Sequence, residues 1–387
     1  MSPFVKLLAT VGTALCLVGG LHATGYFGPY IYLDDGGKNV AGSPEFYWGL
    51  EVRRISRDFH PPEKLVVSKE AAQINQEEER TKKTSENTTE TDLKDFDSAV
   101  QEARIKPADA AKAKEQHKQA RAALDATASG TPTPLPAEFD SEFADYHKGA
   151  AAYLNQQWDE ARAAWENLLK RPEQDRHYRT VWAAFMLGKV ALKEKDFPTA
   201  TQWFQRTREL AKAGFADSSG LAAESYGWEG RAEWKQDHPE KAAPLFMNQL
   251  ALGDASAVVS LKAVIPDREP AGGLLNYGPE PEEREKWTDE QKREEEQKET
   301  AKLKVAAQDP LLRRLVTVHI LATAVSPDYY YTEGLKKEEG VNRSARWFNV
   351  HSASEFGPDR RRGVSRLDFL QPGGLQRGGA LAGAKQR

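Results

Sequence analysis

Glu224-Ser225 is the pair in this chain that most invites a catalytic reading, because a positioned glutamic acid can serve as a general acid. The eight histidines are scattered, so a metal site would require ligands to converge from distant parts of the chain. There is no His-Glu-x-x-His, no glycine-rich phosphate loop followed by lysine and no Gly-x-Ser-x-Gly elbow. The one cysteine, Cys16, lies in an N-terminal apolar run; if that run is removed, disulfides, thiolate catalysis and cysteine metal sites are excluded. Glu224 also fits the first helix of a helical hairpin. The expectation is therefore a protein that is not an enzyme, with no catalytic residue, no cofactor and no metal.

The surrounding composition sets the compartment and the order of the chain. Lys6, the apolar run Leu7 to Leu21 and small residues around Ala23 and Thr24 have the order of a secretory signal over 1–24. That implies export to the periplasm or cell envelope, with membrane contact only through an uncleaved segment. A formal net charge of -4 is too small to point to nucleic acid as a partner. With 29% charged residues and a mean hydropathy of -0.68, part of the chain is expected to be solvated. Residues 25–60 carry Tyr26, Phe27, Tyr30, Tyr32, Phe46, Tyr47 and Trp48 among glycines and prolines without a helical period, and read as an irregular segment that docks aromatics on a neighbour. Residues 61–137 read as a polar linker, disordered over 76–91, followed from Asp92 to Ala128 by an alanine-rich helix with shallow packing. The prolines at 132, 134 and 136 end it.

The elements able to position a site begin at residue 138. Gly149, Gly188 and Gly230 are each followed twelve residues on by Ala161, Ala200 and Ala242, and four further on by Trp165, Phe204 and Phe246. Such a period predicts paired antiparallel helices whose close approach needs glycine on the first and alanine on the second. Trp158-Asp159, Asp196-Phe197 and Asp237-His238-Pro239 fall at the turns between them. The fold class expected is all-α, a solenoid of helical hairpins over 138–265 with irregular flanks.

The glycine, alanine and aromatic at these offsets resemble tetratricopeptide repeats, over about a third of the chain. The units, spaced by 39 residues from 149 to 188 and 42 from 188 to 230, exceed the usual length of about 34. The stretches from Trp182 to Gly188 and from Gly214 to Asp217 are also similar to exported bacterial repeat proteins. Carrying over the groove positions of that family implies Tyr146 and Tyr153 from the first unit, Phe185, Lys189 and Lys193 from the second, and Arg231, Trp234 and Lys235 from the third. These side chains suit an acidic or aromatic peptide segment of a protein partner. Ala150, Lys189 and Arg231 stand where the carboxylate-clamp members carry asparagine. The resemblance thus implies an interaction scaffold of the cell envelope, or else the regulatory or targeting arm of an envelope enzyme acting on peptidoglycan. Exported lytic transglycosylases also mount a Glu-Ser pair beside a helical superhelix, but their Gly-Leu-Met-Gln and Ala-Tyr-Asn stretches are missing.

Past residue 265 the period lapses. Residues 266–308 read as a charged linker or helix, polar all round from Glu280 to Glu299. Residues 309–355 return to an apolar helix, with Leu312, Leu315, Val316, Ile320 and a core His319 at helical spacing, and with a further helix beginning near Arg343. The glycine- and arginine-rich tail, 356–387, has no period. A one-base shift from Leu370 permits another repeat-like hairpin, so the tail reads as a truncated or frame-shifted end, and a further reading of the whole chain is a truncated product without function.

Overall fold

How closely paired helices approach is set by what occupies the space a side chain would take at each repeat glycine. In a computed structural model, which describes residues 44–61, 65–67, 77–267, 275–276, 286–325 and 344–352, a Cβ added to Gly149 would meet Trp165 at 2.4 Å, one on Gly188 would meet Phe204 at 2.7 Å, and one on Gly230 would meet Phe246 at 2.9 Å. The aromatic rings, rather than the alanines, thus rest on the glycines. Ala161, Ala200 and Ala242 are also buried. A ring flat on bare backbone buries much apolar area at the cost of one helix-disfavouring glycine.

The described residues are almost wholly helical. Three consecutive helix pairs carry the repeat: α4 (Glu142–Leu154) with α5 (Trp158–Lys170), α6 (Thr180–Lys193) with α7 (Phe197–Lys212), and α8 (Leu221–Lys235) with α9 (Pro239–Ala251). Each turn contains a non-glycine residue in the left-handed region, Gln156, Lys195 and Asp237, with φ of 61°, 62° and 60°. All three lie seven positions after the repeat glycine, so the period is written in the backbone as well as in the side chains. Caps fix two of the helix starts: Ser141 accepts from the Ala144 amide, and Asp196 from the Thr199 amide. Asp217 caps α8 by taking the Leu221 and Ala222 amides at 2.8 and 3.1 Å.

Helix α6 is buried on nearly every face, through Val181, Trp182, Ala183, Ala184, Phe185, Leu187, Val190 and Ala191, as befits a helix with neighbours all round. On one side, α2 (Glu77–Gln101) and α3 (Ala110–Ala128) form a hairpin packed on α4. Three expectations are corrected here. Helix α2 runs through the segment expected to be a disordered link. The alanine-rich stretch is broken at 102–109, where Ala103 takes a φ of 56°. Its packing is deep, with Phe96, Ala99, Ala113, Ala120, Ala123 and Leu124 buried. Small alanines let α3 approach closely, and Phe96 supplies the bulk.

At the other end, α1 (Pro44–Ser56), α10 (Ala257–Val264), α11 (Asp289–Gln308) and α12 (Pro310–Val325) share one core with α9. The segment expected to be irregular is therefore helical from Pro44. Its Trp48 docks as an aromatic should, fully buried, with its indole N–H donating to Val258 O at 3.3 Å and its ring edge-on to the buried His319. Leu312, Leu315, Val316 and Ile320 are buried as their spacing demands. Helix α11 is solvated from Asp289 to Lys298, as its charge run predicts, and turns inward beyond Lys298 through Glu299, Leu303, Ala306 and Ala307. Helical residues 344–352 add Trp347 to this core. The sole extended pairing among the described residues is parallel and two residues long, Pro266–Asp267 with Leu275–Asn276. The expected signal, the aromatics before Pro44 and the tail lie outside the described residues.

Gly149→Ala is expected to cost about 1–3 kcal/mol by overpacking against Trp165, read as a lower thermal midpoint by circular dichroism. Gly49→Ala in α1, where an added Cβ meets nothing within 4 Å, should leave the midpoint unchanged or raise it slightly. Equal effects at the two positions would show that ring-on-glycine contact does not set the helix spacing.

Candidate functional site

Two groups of side chains stand out, one at the surface and one fully buried. The surface group lies on α6 and α8, the first helices of successive hairpins. The indole of Trp228 on α8 lies beneath the Lys189 ammonium from α6, and the Arg231 guanidinium sits 5.6 Å from the centre of the same ring. Trp228 also donates its N–H to Glu224 at 2.9 Å. Lys193 and Arg231 are exposed and make no ion pair among the described residues. Burial pushes the Lys189 ammonium down to about 7, against the pull of Glu224 and with the help of cationic Arg231 and Lys193.

The eight residues expected to line a groove divide into two sets. Lys189 and Arg231 gather on Trp228 with Lys193 close enough to act on the Lys189 charge, and Lys235 lies 4.4 Å over the ring of half-buried Trp234 on α8. Tyr146 and Phe185 are buried, at 7% and 5% exposure, and present no surface to a partner. Phe185 packs edge-on against Phe204, so the repeat core claims it. Tyr153 is half-buried against Trp158 and Trp165. Trp228 was not among the eight, although it sits one turn before Arg231. Glu224 is exposed, and Ser225 is buried and tied to Arg208 at 2.9 Å and to the Ala222 carbonyl at 2.7 Å. The two side chains of the Glu-Ser pair therefore serve different neighbourhoods.

The buried group joins six parts of the chain. Arg179, immediately before α6, is fully enclosed, and its guanidinium donates to Asp92 Oδ1 at 2.6 and 3.0 Å, to Asp95 at 2.9 Å and to the Tyr178 carbonyl at 2.8 Å. Its planar face lies over the rings of Trp182 and Phe143 at 4.4 and 4.7 Å. Ser218 donates to Asp95 at 2.6 Å from the loop before α8. Glu142 on α4 accepts the amides of His177, Tyr178 and Arg179 at 2.9, 3.0 and 2.7 Å, closing the approach to α6, which has no side-chain cap of its own. Burial raises the Glu142 carboxyl despite those three donors.

On the far side of Asp92, the rings of His117 of α3 and His147 of α4 lie side by side, 4.9 Å between centres and 10° from parallel. Glu138 grips one edge of the pair, with its two oxygens 3.1 Å from His117 Nδ1 and 2.9 Å from His147 Nδ1. Asp92 Oδ2 faces the other edge, 3.2 Å from His117 Nε2 and 3.1 Å from His147 Nε2. His117 Nε2 is buried without a hydrogen-bond partner. Burial would push His147 down, but Asp92 and Glu138 outweigh it and hold it at about 9. Burial likewise opposes the ionised form of Asp92, yet Arg179 and His147 keep its carboxyl well below the ordinary range. Asp92, His117 and His147 bring three metal-ligating atoms within 4.8 Å of one another. Two of the scattered histidines thus converge, which their sequence positions gave no reason to expect.

The chain matches no family model, no curated protein and no solved structure. Among the described residues, no helix is long and apolar enough to cross a membrane.

Arg179→Met, which leaves Asp92 and Asp95 buried without their counter-charge, should cost about 3–5 kcal/mol, measured by urea unfolding. Combining it with Asp92→Asn and Asp95→Asn should recover much of that loss, because a neutral set replaces a broken one. If the triple variant is no more stable than Arg179→Met alone, uncompensated charge is not the source of the cost.

Proposed function

We propose that this protein is a non-enzymatic interaction scaffold whose tetratricopeptide-like hairpins present a cationic and aromatic patch to an acidic segment of a partner protein. The observation that carries the reading is the gathering of Lys189 and Arg231 on the Trp228 ring, across the first helices of two neighbouring hairpins. Repetition supports it as well. Ring-on-glycine packing and the left-handed turn residue recur in three successive units, the arrangement by which repeat proteins build extended binding surfaces.

The patch has two chemical components. Lys193 and Arg231, both exposed, supply charge that steers and holds carboxylates. Half-buried Trp228 supplies the rigid platform that holds these cations in place. Lys189 gives the patch a dependence on pH: held at about 7, it is an ammonium below neutrality and largely an amine above it. A bound carboxylate favours the ammonium, so the partner itself shifts this transition upward. The separation of Glu224 and Ser225 favours the same reading over catalysis by that pair.

Fluorescence anisotropy with a labelled peptide rich in glutamate and bearing one aromatic residue tests the proposal. Charge reversal at Lys189, Lys193 and Arg231 together should weaken binding at least about tenfold, or ~1.4 kcal/mol, and raised salt should weaken the native complex. The native chain should also lose affinity as pH rises from 6 to 9, whereas Lys189→Met should flatten that dependence. A triple reversal that leaves affinity unchanged removes the proposal.

A further inference from the structure

Each imidazole in the buried pair has a carboxylate at both edges, which poses a problem of protons. A neutral ring carries one N–H. Glu138 faces Nδ1 of both rings, so the single N–H of each is best placed there. If both rings are neutral, Nε2 of each turns a lone pair toward the same Asp92 Oδ2, which lies at 3.2 and 3.1 Å. Lone pairs facing across that distance repel unless positive charge lies between them. The local charge shows the same deficit: Asp92 and Glu138 flank the rings, Asp95 lies beyond Asp92 on Arg179, and Arg179 answers one charge of the three, while Glu142 is occupied by backbone amides. With both rings neutral, two positive charges are wanting. They could be two protons or one divalent ion.

We infer that Asp92 Oδ2, His117 Nε2 and His147 Nε2 are the ligands of one buried divalent metal ion of the zinc class. Two imidazoles and one carboxylate are a donor set suited to that ion. The oxygen-to-nitrogen separations of 3.1 and 3.2 Å are close to the edge of about 3.3 Å between two ligands on a tetrahedral ion with bonds of about 2.0–2.1 Å. His117 Nε2 favours an ion over a second proton. It is buried and 3.2 Å from the carboxylate oxygen yet makes no hydrogen bond, so it is aimed beside the oxygen rather than along an N–H···O line. The surroundings are those of a metal site. Glu138 holds both rings by Nδ1, which fixes the tautomer that leaves Nε2 free to ligate, and Arg179 takes the other Asp92 oxygen.

The three ligands come from α2, α3 and α4, so the ion would fasten the N-terminal hairpin to the first repeat. With Asp92 and His147 at 0% exposure and His117 at 1%, it would enter as the chain folds rather than by diffusion into the finished protein.

The test uses the full chain without an affinity tag, unfolded in denaturant with chelator and refolded with zinc or cobalt(II) alone. After desalting, elemental analysis should give one ion per chain, and the cobalt form should show the visible absorption of a tetrahedral centre. His117→Gln and His147→Gln should each abolish uptake, Glu138→Gln should weaken it about 10–100-fold, and the surface variant His238→Gln should bind as the native chain does. A refolded native chain that retains no ion overturns the inference and assigns the two charges to protons. So does an ion retained equally by folded His117→Gln and His147→Gln chains, which would place it elsewhere. Because the native measurement decides the first outcome, failure of a variant to fold leaves the test intact.

Discussion

The contact between Arg179 and Asp92 is the constraint on which the arrangement of this protein depends. Both groups are wholly enclosed, so neither can exchange its partner for water without the chain opening. Around them, three helices, two connecting segments and the start of α6 are brought to one point. Asp95 and Ser218 extend the network to the loop before α8. Glu142 and the imidazole pair extend it into α4 and α3. Hydrophobic burial alone would let the α2–α3 hairpin slide over the repeats, since alanine-rich surfaces specify position weakly. Fixed charges with directional bonds specify it strongly.

The repeats have a different logic. In each hairpin a bulky ring lies where a glycine has no side chain, and the turn passes through one left-handed residue at the same offset. The geometry is local and is repeated three times, so adjacent hairpins meet through equivalent faces. Lys189, Lys193, Trp228 and Arg231 lie outside that contact. The scaffold and its exposed chemistry can therefore change independently, whereas the buried network cannot change one residue at a time.

Much of the repeat was legible because its determinants are close in sequence. Gly188 and Phe204 are sixteen positions apart, and their types alone imply close helix approach. The pairing partner of the glycine was harder to read, because alanine and aromatic both lie on the facing helix and only packing decides which ring covers the backbone. Tyr146 and Phe185 failed as groove residues for a related reason. An aromatic on a first helix can face the partner or the core, and here Arg179 and Phe204 draw the two rings inward. The charged appearance of 76–91 concealed α2, whose order comes from Asp92, Asp95 and Phe96 further along.

From the residues alone came the helical class, the place of the turns to within about three residues, with Trp158-Asp159 opening α5 rather than preceding it, and the apolar face of α12, because propensity, periodicity and capping act within a few turns of chain. The convergence of Asp92, His117, Glu138, His147 and Arg179 was left to tertiary structure. Arg179 lies 87 positions from Asp92 in the chain, and nothing local marks a histidine amid alanines, or an arginine ahead of an apolar helix, as members of one cluster. Charge is attracted across space without regard to sequence distance, so its partners are chosen only when the helices have packed.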